Sequence, residues 1–127
     1  NREKKFSGFK VYGESKLANI MFTYALDRRL QGNNVTTNAL HPGFVATGFG
    51  KNNSFLVRIL ISFFYLFARS PEKGAQTSIH LAASPEVSNI SGKYYVDNTP
   101  KKSSPESYDT DAQEKLWQIS KEMTGIS

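Results

Sequence analysis

The sequence alternates between helical and strand-like patterns, and only two of its segments predict strands. Apolar residues recur at three- and four-residue steps over 11–30, which predicts an amphipathic helix. Short β-branched or aromatic runs predict strands at 35–40 and 93–97, and further helices are predicted at 71–83 and 110–123. Such alternation is typical of an α/β fold with a parallel sheet, in which a buried strand needs neighbours on both edges. We therefore expect the remaining strands to come from sequence outside these residues or from another chain.

Local sequence signals predict where the last two helices begin. Ser70 followed by Pro71 is typical of a helix start, because a serine hydroxyl caps free N–H groups and proline suits the first turn. Thr110 with Gln113 fits a capping box and predicts the start of the final helix. The polar segment 98–109, which precedes that helix, is predicted to be a loop.

The composition excludes several kinds of site. The chain has no cysteine, which excludes a disulfide scaffold, a zinc finger and a thiol nucleophile. Its two histidines, His41 and His80, are far apart in the sequence and do not suggest a metal site. The net charge of +5 comes from scattered lysines and arginines, so we expect no nucleic-acid partner. The sequence contains no charged-then-apolar leader pattern, and we expect an intracellular protein, cytoplasmic or membrane-associated.

One pair of residues on the first predicted helix could carry chemistry. Tyr12 and Lys16 are four positions apart, which places them one turn apart on the same helix face. An ammonium near a phenol stabilises the phenolate, and this suits a tyrosine that donates and recovers a proton in carbonyl–alcohol chemistry. Ser15, Asn19 and Thr23 extend the polar stripe opposite the apolar face. The pair alone fits a solvated helix face with an exposed tyrosine better than it identifies an active site.

A second motif, Pro-Gly-Phe-Val-Ala-Thr at 42–47, directly follows the first predicted strand. In open α/β sheets, ligands bind beyond the carboxyl ends of the strands. Gly43 would let the backbone approach a ligand closely, and the N–H of Val45 and the hydroxyl of Thr47 could bind an amide or a phosphate oxygen. The alternative interpretation is a tight turn after a strand.

Together, these motifs resemble the short-chain dehydrogenase/reductase family. The resemblance rests on YGESKLAN at 12–19 and NALHPGFVAT at 38–47, supported by GAQTS at 74–78 and SGKYY at 91–95. Within that family, the chain looks most similar to the retinol dehydrogenase group. The resemblance implies the carboxyl-terminal half of a Rossmann-type doubly wound parallel sheet with flanking helices. It also implies that 1–127 is one part of a single domain, whose amino-terminal dinucleotide-binding half lies outside this sequence.

The resemblance further implies a reaction and a role for each matching residue. The reaction is NAD(P)-dependent interconversion of an alcohol and an aldehyde or ketone, with NADP favoured over NAD. Tyr12 would be the general acid/base, and Lys16 would assist it and hydrogen-bond the nicotinamide ribose. The cofactor-binding residues would be these two together with Pro42, Gly43, Val45 and Thr47. The family's glycine-rich loop and catalytic serine are not in this sequence, so we expect these residues alone to be inactive.

The apolar segment 54–70 falls where the family keeps a variable substrate lid. Its aromatic and leucine side chains suit a long apolar, retinoid-like or lipid substrate, whereas a buried pair of short helices is the alternative. Arg58 and nearby cations would also let the segment lie on an anionic membrane surface. We expect a small apolar carbonyl or alcohol as partner, and the sequence leaves open a membrane surface and a second copy of the chain. The alternative function is a non-catalytic binding or scaffold fragment that keeps the α/β fold.

Overall fold

The computed structural model describes residues 8–43 and 69–126. Helix α1 spans Gly8–Leu30, α2 spans Pro71–Ala83 and α3 spans Thr110–Thr124; strand β1 spans Asn38–His41, β2 spans Lys93–Val96 and β3 spans Thr99–Lys101. Short 3₁₀ turns lie at Pro85–Val87 and Pro105–Tyr108. The three predicted helices and both predicted strands are therefore present, with shifts of a few residues at their ends.

The strands form a mixed sheet in the order β1-β2-β3. β1 and β2 run parallel, as the alternation of helices and strands predicts. β3 is antiparallel to β2 and lies within the segment predicted to be a loop, so that prediction was wrong. The chain reverses at Asp97 and Asn98, whose φ angles of 53° and 59° are those of a two-residue type I′ hairpin. Asp and Asn tolerate this left-handed backbone, and the residues that follow can therefore pair with β2.

β1 begins at Asn38, which is later than the predicted start at Val35. The ladder with β2 starts where Asn38 faces Lys93. The Asn38 side chain fixes this register, because its Nδ2 donates to the Ile90 carbonyl at 2.7 Å and its Oδ1 accepts from the Lys93 N–H at 3.0 Å. Val35 is exposed and lies before the ladder, so its β-branched side chain does not extend the strand.

Helices cover both faces of the sheet. Neighbouring strand residues point to opposite faces, and Tyr94 of β2 shares a groove with Lys16 and Leu17 of α1. The ring centroid of Tyr95 lies 6.3 Å from that of His80 in α2. α1 and α2 therefore lie on opposite faces, as they do in a doubly wound sheet. The predicted α/β fold is confirmed, as a partial sheet with flanking helices.

The predicted apolar face of α1 packs into the core. Met21, Tyr24 and Ala25 are buried. Thr23, which the sequence placed on the polar stripe, is also buried, so that assignment was wrong. Its hydroxyl donates to the Asn19 carbonyl at 3.0 Å, so burial leaves this hydroxyl paired within the helix.

The carboxyl-terminal half of α1 packs against α3. Phe22 stacks on Trp117 with ring centroids 5.0 Å apart, and the Arg29 guanidinium lies 4.2 Å above the Trp117 ring. Arg28 and Arg29 both hydrogen-bond the Glu114 carboxylate, Arg28 at 2.8 Å. The two arginines lie in the last turn of α1, where positive charge also suits the helix dipole.

A chain of hydrogen bonds joins α1 to the segment before α3. The Tyr24 hydroxyl lies 2.7 Å from Ser103 Oγ, which lies 2.6 Å from Oγ of the fully buried Ser107. Gln113, which is 2% exposed, donates to the Ser107 carbonyl at 2.7 Å and accepts from Arg28. We call these residues, Tyr24, Ser103, Ser107, Gln113 and Arg28, the polar network.

The two cap signals in the sequence had different outcomes. Ser70 caps α2 as predicted: its hydroxyl accepts from an N–H of the first turn at 3.3 Å, and Pro71 opens the helix. α3 is capped by Asp109, whose carboxylate accepts from an N–H of the first turn at 3.0 Å. The predicted capping box of Thr110 and Gln113 was wrong, because the Gln113 side chain belongs to the polar network.

Candidate functional site

Tyr12 and Lys16 lie on the first half of α1, before the part of the helix that packs against α3. Tyr12 is 51% exposed, and the Lys16 ammonium lies 5.2 Å from the centre of the Tyr12 ring. The four-residue spacing thus becomes a cation–π contact on an accessible helix surface. The contact places a positive charge beside the Tyr12 ring.

A groove of about 370 Å³ runs beside Lys16, and we call it the Lys16 groove. It is lined by Gly13, Lys16, Leu17 and Ile20 of α1 and, on the other side, by Tyr94, Lys102, Ser103 and Ser104. Burial raises the pKa of the Tyr94 phenol, so this wall presents a neutral hydroxyl at physiological pH. Ser103 belongs to the polar network, which therefore joins one wall of the groove to the core.

The second predicted motif begins at the carboxyl end of β1. The strand ends at His41, Pro42 is exposed, and Gly43 has a φ of 78°, a left-handed backbone that glycine adopts readily. The Gly43 N–H donates to His41 Nδ1 at 2.7 Å. This bond closes a tight turn at the edge of the sheet where ligands bind in open α/β folds.

Space at Gly43 is limited by Arg69. A Cβ added to Gly43 would lie 2.8 Å from Arg69 Nε and 2.9 Å from Arg69 Cζ, closer than real side chains approach. The guanidinium donates two hydrogen bonds to the Asp97 carboxylate, one of them 2.9 Å from Nη2 to Oδ2. These bonds lower the pKa of Asp97 and raise that of Arg69. Arg69 thus connects the turn after β1 to the turn after β2.

A second groove, of about 300 Å³, lies at this ion pair and is lined by Arg69, Lys73, Gln76, Thr77, Asp97 and Asn98. Thr77 Oγ1 accepts from the Asn98 N–H at 3.2 Å, so α2 holds the hairpin turn in place. The sequence motifs alone pointed to neither Arg69 nor Asp97 as a site residue. One other feature of the sequence did point to Asp97. It stands at the end of a predicted strand, and ligands bind at that edge of an open α/β sheet.

Several predicted positions lie outside the described residues. They are Val45, Thr47 and most of the predicted lid at 54–70, of which the structure describes only Arg69 and Ser70. Within 8–43 and 69–126, no helix is long and apolar enough to cross a bilayer. The same residues contain no group of three histidine or acidic side chains that could hold a metal ion.

Comparison with known proteins shows which family the chain resembles. A model of the short chain dehydrogenase family matches residues 1–55, which contain both predicted motifs. The chain is 44% identical to Retinol dehydrogenase 14 of Homo sapiens over 99% of its own length. It is 40% identical to Retinol dehydrogenase 13 of Mus musculus over 98% of its length, and 33% identical to Short-chain dehydrogenase TIC 32 A, chloroplastic, of Brassica napus over 94%.

These matches confirm the predicted resemblance to the short-chain dehydrogenase family. Its strongest similarity among the three relatives is to the two retinol dehydrogenases. The chain spans only 38% of the length of Retinol dehydrogenase 14 and 39% of that of Retinol dehydrogenase 13.

Proposed function

We propose that the complete protein carrying this chain is an NAD(P)-dependent oxidoreductase that interconverts an alcohol and an aldehyde or ketone. In this proposal, residues 1–127 form the carboxyl-terminal part of one Rossmann-type domain, and the dinucleotide-binding half lies outside them. Family resemblance supports the reaction class. The observation that carries the proposal is the Lys16 ammonium 5.2 Å from the ring of the half-exposed Tyr12.

Tyr12 is assigned the proton transfer. Its hydroxyl donates a proton to the carbonyl oxygen in reduction and recovers one from the alcohol in oxidation. The exposure of Tyr12 supports this role, since a substrate oxygen must reach Oη. Lys16 is assigned two tasks: its charge stabilises the phenolate that remains after proton donation, and its N–H groups donate to the ribose hydroxyls.

The chain's own groups suit the nicotinamide end of a dinucleotide. Lys16 offers donors for ribose hydroxyls, and the left-handed Gly43 backbone beside Pro42 can approach a flat ring closely. Val45 and Thr47 complete the proposed set, through the Val45 backbone and the Thr47 hydroxyl. The bound dinucleotide supplies or accepts the hydride. Family resemblance favours NADP over NAD.

The proposed substrate is apolar, of a retinoid or lipid kind. Two of the relatives are named retinol dehydrogenases. The apolar composition of 54–70, the predicted lid, also suits such a substrate. Contact of this segment with an anionic membrane surface, self-association and an intracellular location form part of the same proposal.

A substrate screen on the complete protein tests the proposal. Each of NADP(H) and NAD(H) is combined with retinol or retinal and with straight-chain alcohols or aldehydes of increasing length, and nicotinamide absorbance is followed. Turnover that rises with apolar chain length supports the proposal, whereas a preference for short polar substrates contradicts its apolar part. A protein that turns over no substrate and binds neither dinucleotide would instead fit the non-catalytic binding fragment.

A further inference from the structure

The turn after β1 is shaped by a side chain from another part of the chain. The φ of Gly43 is 78°, and its N–H is bonded to His41 Nδ1. The Arg69 guanidinium occupies the space where a side chain of residue 43 would stand, 2.8 Å from the position of a Cβ. Arg69 therefore restricts the conformations available to the turn that contains Pro42 and Gly43.

Arg69 is itself fixed by the residue that follows β2. Both oxygens of the Asp97 carboxylate accept from its guanidinium, and the side chain of Arg69 is only 31% exposed. Asp97 lies in the hairpin turn, which the bond from the Asn98 N–H to Thr77 attaches to α2. The turn after β1 is thus tied, through one arginine, to the second strand and to a helix.

We propose that Arg69 is a positioning residue that holds the Pro42–Gly43 turn in the conformation that binds the nicotinamide end of the dinucleotide, with Asp97 as its anchor. This inference rests on the proposed function, because it concerns the same cofactor site. The planar guanidinium suits the task, since it bonds both carboxylate oxygens while its Nε and Cζ stand where a side chain of residue 43 would be. Removing Arg69 releases the turn and leaves Tyr12 unchanged.

Lys73 provides a matched control for charge. It lines the same groove, is exposed, and attracts Asp97 through space. His41 also lowers the pKa of Asp97, so three basic side chains act on this carboxylate. Substituting Lys73 removes the same charge from the same groove as substituting Arg69, while the contact with Gly43 and the hydrogen bonds to Asp97 remain.

The test measures dinucleotide binding and turnover in the complete protein, with NADPH and NADH as probes. For Arg69→Ala we expect the Kd and the KM for the dinucleotide to rise about three- to tenfold, with kcat at saturating cofactor close to wild type. Asp97→Asn should give a smaller rise in the same direction, and Arg69→Lys a partial rescue. Lys73→Ala should bind as wild type, and thermal unfolding reports whether each variant is folded.

A double-mutant cycle isolates the contact itself. Gly43→Ala is expected to weaken binding through both the left-handed backbone and the clash with Arg69, and only the first effect persists when Arg69→Ala is also present. The Kd penalty of Gly43→Ala should therefore be smaller in the Arg69→Ala background.

Any one of three results overturns the inference. Arg69→Ala could bind the dinucleotide as wild type does, or Lys73→Ala could weaken binding as much as Arg69→Ala. The third is a Kd penalty of Gly43→Ala that is the same with and without Arg69→Ala. If Arg69→Ala does not fold, wild-type binding by both Asp97→Asn and Arg69→Lys overturns it. A wild-type protein that binds neither dinucleotide contradicts the proposed function itself, and the inference with it.

Discussion

The two halves of α1 differ sharply in how they are held. The carboxyl-terminal half is tied to α3 by the Phe22–Trp117 stack and by two arginines on Glu114, and to the segment before α3 by the polar network. The amino-terminal half presents Tyr12 and Lys16 at the surface. One helix therefore separates anchoring contacts from the proposed catalytic pair, and substitutions in the two halves should change different measured quantities.

The largest expected effect is on turnover, from Tyr12→Phe. Without the phenolic proton, kcat should fall about 100- to 10,000-fold in the complete protein, while dinucleotide affinity changes little. Tyr24→Phe is the matched control, because it also removes a phenolic hydroxyl, in this case from the anchored carboxyl-terminal half of the same helix. It should lower the free energy of unfolding by about 1 kcal/mol and leave kcat near wild type. Equal turnover in wild type and Tyr12→Phe would contradict the assignment of Tyr12.

Lys16→Ala should affect both turnover and cofactor affinity. One ammonium serves the phenol and the ribose, so we expect kcat to drop and the dinucleotide Kd to rise about ten- to hundredfold. Fluorescence titration with NADPH measures the second effect separately from the first. If affinity is unchanged while kcat falls, the ribose role is wrong and only the effect on the phenol remains.

On α3, which anchors the carboxyl-terminal half of α1, Gln113→Ala should mainly reduce stability. It removes the donor to the buried Ser107 carbonyl and one acceptor of the Arg28 guanidinium, which keeps its bond to Glu114, and we expect a loss of about 2 kcal/mol in the free energy of unfolding. Gln118→Ala, at an exposed position of the same helix, should cost little. Denaturant unfolding of both variants, with activity measured in parallel, would show whether anchoring and chemistry are as separate as the structure indicates.

The smallest expected effect is a pH-dependent difference in unfolding temperature, caused by Glu114. Hydrogen bonds from Arg29 and Arg28 lower the pKa of Glu114 from 4.5 to about 2. A carboxylate with a lowered pKa stabilises the fold above its ordinary pKa, and this stabilisation is lost as the pH falls from 4.5 to about 2. The difference in unfolding temperature between wild type and Glu114→Gln should therefore be present at neutral pH and disappear over that interval. A difference in unfolding temperature that stays constant down to a pH of about 2 would contradict this role of Glu114.

The sequence predicted features that depend on neighbouring residues. The apolar spacing of α1 and the Ser70–Pro71 start of α2 are local, and both were confirmed. Tyr12 and Lys16 were brought together by helix geometry alone, although their roles stay predictions.

Features that depend on distant residues could not be predicted in this way. β3 has only exposed residues and follows an Asp-Asn turn without glycine, so neither alternation nor a strong turn signal marked it. Gln113 fits a capping box by spacing, but its side chain bonds Arg28, which is 85 positions away. The Arg69–Asp97 pair likewise joins residues 28 positions apart, and no local pattern pairs them.

The hairpin strand β3 also determines at which border the sheet can pair with further strands. Its three residues are all exposed, and they include Pro100, which has no N–H to donate, and the charged Lys101. Both residues discourage another strand from pairing along this border. In the part of the chain that the structure describes, β1 pairs only with β2, so its other border still offers backbone donors and acceptors. We therefore expect the further strands of the complete sheet to pair at β1 and leave the hairpin outermost.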